Sequence, residues 1–182
     1  MSNQFSSGAD VVDNETSKDW PLAQYDNEVY PLGTRRVQLA DEVNAANSTH
    51  YGDREWVFVF NDETSTDFAE GDLIKIDTTA AVTSERYAPF HGILSDAAAT
   101  SAGLILGVAG GAIAAGKYGW VVSRGVCEAK GDGSVNQGES IVSHTSGQVD
   151  TMGSGEEAAI IGVALEDDGS AGDKFTVKVF IP

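Results

Sequence analysis

Two stretches of the chain repeat one pattern of turns and strands. The segment "ILGVAGGAIAAGKYGWVVSRG" spans Ile105–Gly125, and "IIGVALEDDGSAGDKFTVKVFIP" spans Ile160–Pro182. Each begins with two branched apolar residues and Gly-Val-Ala, passes through a short loop to Ala-Gly, and returns in an apolar strand. Glycine at a strand end permits a bulge or a close backbone approach where a sheet curls. In the loops, Gly116 follows Ala115 and Gly172 follows Ala171, positions where glycine supplies a positive φ before polar Lys117 or Asp173. Gly107 and Gly162 lie 55 residues apart (162 − 107). Two copies at that distance suit two equivalent corners of one barrel, whereas a solenoid needs three or more repeats to bury a continuous core.

The remaining pattern after residue 53 is that of a β protein. "EWVFVFN" and "GDLIKID" are short apolar runs bounded by turn residues, as buried strands are. Further strands are expected at Leu104–Ala109, Tyr118–Ala129, Glu139–Ser143, Gln148–Asp150, Ala158–Leu165 and Lys174–Ile181. The last alternates strictly, with Phe175, Val177, Val179 and Ile181 on one face. Pro89 and Gly92 mark a bend between the second and third of these runs. Turn signals recurring every 8 to 12 residues predict an all-β fold, a compact barrel or sandwich over residues 54–182.

Residues 1–53 are polar, and their apolar side chains follow neither a helical nor a strand period. Trp20-Pro21 and Tyr30-Pro31 hold the aromatic residue extended, because proline disfavours the α region before it. An extended N-terminal arm is therefore expected, carrying Trp20, Tyr25 and Tyr30. A short helix is expected within "VQLADEVNAANSTH".

Charge narrows the partners. With 28 acidic and 11 basic residues, the net charge is −17. Such a surface repels phosphate backbones, whose neutralisation by Lys and Arg supplies most nucleic-acid affinity, and anionic membranes alike. The uncharged run from Ala97 to Gly116 reaches membrane-spanning length, but its five glycines and few strong apolar residues favour a strand and turn. The N-terminus has neither the basic region nor the apolar core of a secretory leader.

No cluster with catalytic spacing is legible. His50, His91 and His144 show no metal-ligand spacing, and the lone Cys127 reads as a small core residue. Ser143-His144 lacks the Gly-x-Ser-x-Gly elbow of a hydrolase. The acidic turns at Asp132–Glu139 and Asp167–Asp173 lack a twelve-residue calcium loop and read as solvated turns. Trp120 and Tyr118 sit in an alternating strand and are expected in the core; on the surface they would make a carbohydrate-binding module, the alternative reading. No enzyme activity, cofactor or metal is expected.

Taken together, "ILGVAGGAIAAGKYGWVVSRGVCEA", "GDGSVNQGESIV", "GQVD" and the closing segment resemble the capsid decoration, or cement, proteins of tailed bacteriophages. "PLGT" at Pro31–Thr34, "GDREWVFVFN" and "EGDLIKID" fit the same pattern, so the resemblance covers residues 31–182. It implies a compact barrel with corners at Gly107, Gly116, Gly162 and Gly172. It also implies a homotrimer on the outer capsid surface that bridges major capsid protein subunits, with no nucleic-acid or membrane partner. Extended to the N-terminus, it makes Trp20, Tyr25, Tyr30, Arg35 and Arg36 the capsid-binding residues of the arm.

Overall fold

A computed structural model describes residues 23–39, 52–79 and 88–182. Ten strands account for the fold: β1 (Arg35–Gln38), β2 (Arg54–Asn61), β3 (Leu73–Ile76), β4 (His91–Leu94), β5 (Ile105–Ala109), β6 (Tyr118–Lys130), β7 (Ser140–Ser143), β8 (Val149–Thr151), β9 (Gly162–Ala164) and β10 (Lys174–Phe180). Helical structure among the described residues is confined to four single 3₁₀ turns. The class is all-β. No described helix is long and apolar enough to cross a membrane.

All ten strands belong to one sheet in the order β1-β2-β4-β3-β5-β6-β10-β9-β7-β8. The sheet curls until β2 also pairs with β6, closing a five-strand ring of β2, β4, β3, β5 and β6. β6 makes this possible by its length of 13 residues. Its first half pairs with β2 and β5, and its second half, Arg124–Lys130, pairs with β10. The expected all-β barrel or sandwich thus takes the form of a closed ring that continues into an open half of the same sheet. Every strand pairing is antiparallel except β2 with β4, which meet at Phe60–His91 and Asn61–Gly92.

The repeated pattern occupies equivalent places in this sheet. β5–β6 and β9–β10 are both hairpins, and β6 lies antiparallel to β10 between them. The central order β5-β6-β10-β9 therefore reads alike from either side. The first hairpin pairs Val108 with Val122 and Ala109 with Val121; the second pairs Val163 with Lys178 and Ala164 with Val177. Each Gly-Val-Ala keeps the same register, with one more residue in the second connection (177 − 164 against 121 − 109).

Both faces of β2, of β5 and of the first half of β6 are largely buried, so β2 reads as a near-continuous apolar run. Val57, Val59, Ile74, Leu106, Ala109 and Val121 form one core with Phe68 and Ile113. Trp56, Phe58, Trp120 and Val122 join the larger core on the opposite face, with Cys127, Phe175, Val177 and Val179. Burying each large side chain contributes on the order of 2 kcal/mol.

The folded body begins earlier than residue 54. β1 pairs with β2 from Arg35 opposite Val57 to Gln38 opposite Arg54. Val37 and Gln38, expected in a helix, are strand residues here, because alternation lets Gln38 reach Trp56 in the core while Val37 faces out. Leu39 follows the strand without helical structure, and residues 40–50 of that expected helix lie outside the described residues.

Candidate functional site

Strand alternation gives β1 two different faces. Gln38 turns inward, where its Oε1 accepts a hydrogen bond from the Trp56 indole N–H at 3.2 Å. Arg35, Val37 and, just beyond the strand, Leu39 turn outward. Val37 is 59% exposed and Leu39 52%, and Val29 nearby in sequence is 52% exposed. These three are half of the large apolar residues exposed on the described surface, which number six. The Arg35 guanidinium forms an ion pair with Glu55 of β2 at this edge. Arg36 lies half-buried on the inward side of the strand.

The other proposed arm residues lie elsewhere. Trp20 falls outside the described residues. Tyr25 exchanges backbone hydrogen bonds with Tyr118 at 2.8 and 3.0 Å, forming a bridge at the start of β6. Tyr30 packs its ring 5.3 Å from both Phe58 and Trp120, and 6.1 Å from Tyr25. Both tyrosines are half-buried components of the core wall. In a chain with no apolar period before residue 31, such contacts to partners far along the sequence leave no local signal.

At the repeated corners, a Cβ on Gly107 would meet the Val122 carbonyl oxygen at 2.7 Å, and one on Gly162 the Lys178 carbonyl oxygen at 2.5 Å. Both glycines thus sit where a neighbouring backbone approaches too closely for any side chain. Gly116 and Gly172 adopt φ of +72° and +87° in the connecting loops.

No protein-family model matches the chain, and no curated protein is significantly similar to it. Among solved structures, the N base of the head fiber gp8.5 of bacteriophage phi29 aligns over 68% of this chain and 93% of its own. The TM-score is 0.46 and the identity 13%. Similarity at that level does not establish a common fold.

Of the two residues of the sugar-stacking reading, Trp120 is 1% exposed and packed against Tyr30 and Phe58, which leaves its face closed to a sugar. Tyr118 is half-buried and stacks on Phe58 at 5.9 Å. The acidic turns are more structured than solvated loops. Asp167 Oδ1 accepts the Gln137 N–H, and Glu139 Oε2 accepts the Asn136 N–H and the Thr151 hydroxyl. The Thr151 bond foremost, then those from Asn136, holds the Glu139 carboxyl below the usual carboxylate range.

Sequence spacing gave no sign of one convergence. Asp132, His144 and Asp150 each bring one ligand-type atom to within 4.8 Å of the others. His91 is engaged separately, its Nδ1 3.1 Å from Asp62 Oδ2. His144 was legible only as a loop residue and Asp132 only as part of an acidic turn. Their meeting depends on a parallel bridge between Gly131 and Val149, which residue spacing does not announce.

Proposed function

We propose that this protein is a non-enzymatic structural component of a tailed-phage head, binding the outer capsid surface and bridging major capsid protein subunits. The observation that carries the reading is the outward stripe of β1, with Val37 and Leu39 more than half exposed beside the Arg35–Glu55 ion pair. β1 ends the strand order, so its stripe lies at the margin of the sheet, where a partner strand or loop can dock through backbone hydrogen bonds and apolar contacts. The motif resemblance over residues 31–182 supplies the partner.

In this reading the capsid grip comes from the β1 margin, and Tyr25 and Tyr30 act indirectly by anchoring the segment before β1 to Phe58, Trp120 and Tyr118. Trimer formation multiplies a modest contact into high avidity, because several β1 margins engage neighbouring subunits together. The charge of −17 keeps the outward surface soluble at high local density.

The test mixes purified protein with undecorated phage heads and counts bound copies. Saturable binding is expected at low micromolar protein, with weaker binding by Val37→Asp at unchanged melting temperature. Absence of binding at micromolar concentration overturns the proposal. A monomer in light scattering overturns the trimer.

A further inference from the structure

We propose that Asp132, His144 and Asp150 form a binding site for a divalent transition-metal ion of the zinc or cobalt class. The three residues come from separate segments: the turn after β6, the end of β7 and strand β8. Their backbones are nevertheless tied to one short stretch. The Asp132 N–H donates to the Val149 carbonyl at 3.1 Å, and the His144 N–H donates to the Gln148 carbonyl at 2.8 Å. Asp150 follows directly, held in register opposite Val142. The backbone therefore positions three ligands before any ion arrives, which lowers the ordering cost of binding.

The electrostatics favour a cation. Ser134 Oγ lies 2.8 Å from Asp132 Oδ1 and 3.0 Å from Asp150 Oδ1. Asp132 Oδ1 also accepts the Ser134 N–H at 3.0 Å, and the single hydroxyl proton serves one of the two carboxylates at a time. Among the described residues, no Lys or Arg forms an ion pair with either aspartate. A third carboxylate adds to the field. Asp168, 8% exposed, bonds through Oδ2 to the N–H of Gly133 and presses against Gly131, the two residues flanking Asp132. Its Oδ1 is buried with no hydrogen-bond partner.

Ligand chemistry selects the ion. One imidazole with two carboxylates suits zinc, cobalt, nickel or manganese, whereas calcium and magnesium prefer all-oxygen shells. Metal–ligand distances of about 2.0–2.2 Å require ligand atoms roughly 3.3 Å apart in a tetrahedral shell. The ligand atoms lie within 4.8 Å of one another, so binding requires the side chains to rotate inward. Three protein ligands leave a position for water, and a bound ion would clamp the turn after β6 to the β7–β8 hairpin.

The experiment titrates the full-length protein with Co²⁺, followed by visible absorption, and with Zn²⁺, followed by calorimetry. One saturable equivalent is expected below about 1 mM, with a rise in melting temperature from preferential binding to the folded state. His144→Ala and Asp150→Asn should each weaken binding about tenfold or more. Both variants are checked for an unchanged melting temperature without metal. His91→Ala and His50→Ala should bind as the parent does. No saturation by about 1 mM overturns the site, as does equal affinity in His144→Ala. Loss of binding in His91→Ala or His50→Ala would place the ion elsewhere, and equal competition by Ca²⁺ would overturn the assignment to a transition metal.

Discussion

Gly162 approaches Lys178 so closely that a Cβ at residue 162 would lie 2.5 Å from the Lys178 carbonyl oxygen. The contact is backbone against hydrogen-bonded β10, so neither side can yield cheaply. Gly162→Ala should destabilise the fold by about 2 kcal/mol, within the range for overpacking. Gly107→Ala faces the Val122 carbonyl at 2.7 Å and should cost a similar amount. Gly116 has open space around it and only its φ of +72° to lose, so Gly116→Ala should cost about 1 kcal/mol. Chemical denaturation gives this order, and a Gly162→Ala protein as stable as the parent would refute the corner argument.

Lys130 holds a buried carboxylate. Its Nζ lies 2.6 Å from Asp72 Oδ1, and the Asp72 side chain is 5% exposed. Asp72 Oδ2 accepts the Ala69 N–H at 2.7 Å, which Lys130→Met leaves in place. The stranded charge should still cost about 3 kcal/mol. Adding Asp72→Asn should restore part of that loss, and a double-mutant cycle by urea unfolding measures the coupling.

Alkaline instability should originate in part at Cys127. Burial first of all pushes its thiol from an ordinary value near 9 up to about 12. Because the unfolded state then releases the proton more readily than the folded one, stability falls as pH rises between those two values. The slope approaches about 1.4 kcal/mol per pH unit once the unfolded thiol is ionised. Cys127→Ala should flatten this limb between pH 9 and 10, as read from urea midpoints. Lys174 adds a later loss: its bond to Glu70 foremost raises its pKa, so its contribution persists below the ordinary lysine range and disappears above it. Lys174→Gln should therefore lower stability at neutral pH and remove this further decline above the ordinary lysine range.

Tyr30 and Val37 should separate stability from attachment. Tyr30→Ala removes a ring packed on Phe58 and Trp120 and should cost about 2 kcal/mol in the isolated protein. Val37→Asp, at an exposed site, should stay within about 0.5 kcal/mol while weakening capsid binding. Capsid sedimentation read beside thermal melts gives both quantities.

Much of the sheet was legible because strand signals are local. Alternation in Lys174–Phe180 and the bounded apolar run of Arg54–Asn61 identify strands from near neighbours alone. The hidden features are those made by distant pairing. His91–Leu94 follows a proline bend and lacks alternation, so its parallel place beside β2 is invisible in sequence. The inward turn of Tyr30 depends on Phe58 and Trp120, 28 and 90 residues further along (58 − 30 and 120 − 30). The Asp132–His144–Asp150 group likewise awaits the bridge from Gly131 to Val149.

The amino-acid order alone determined that this is a β protein with two matched hairpins, because glycine conformations and side-chain alternation are properties of a few consecutive residues. Tertiary structure decided that the hairpins flank a shared β6–β10 pair, that the ring closes through β2 and β6, and that three dispersed ligands meet. Those outcomes depend on which distant strands exchange hydrogen bonds. That choice is made by burying both faces of β2 and β6 at once, which no short window of sequence contains.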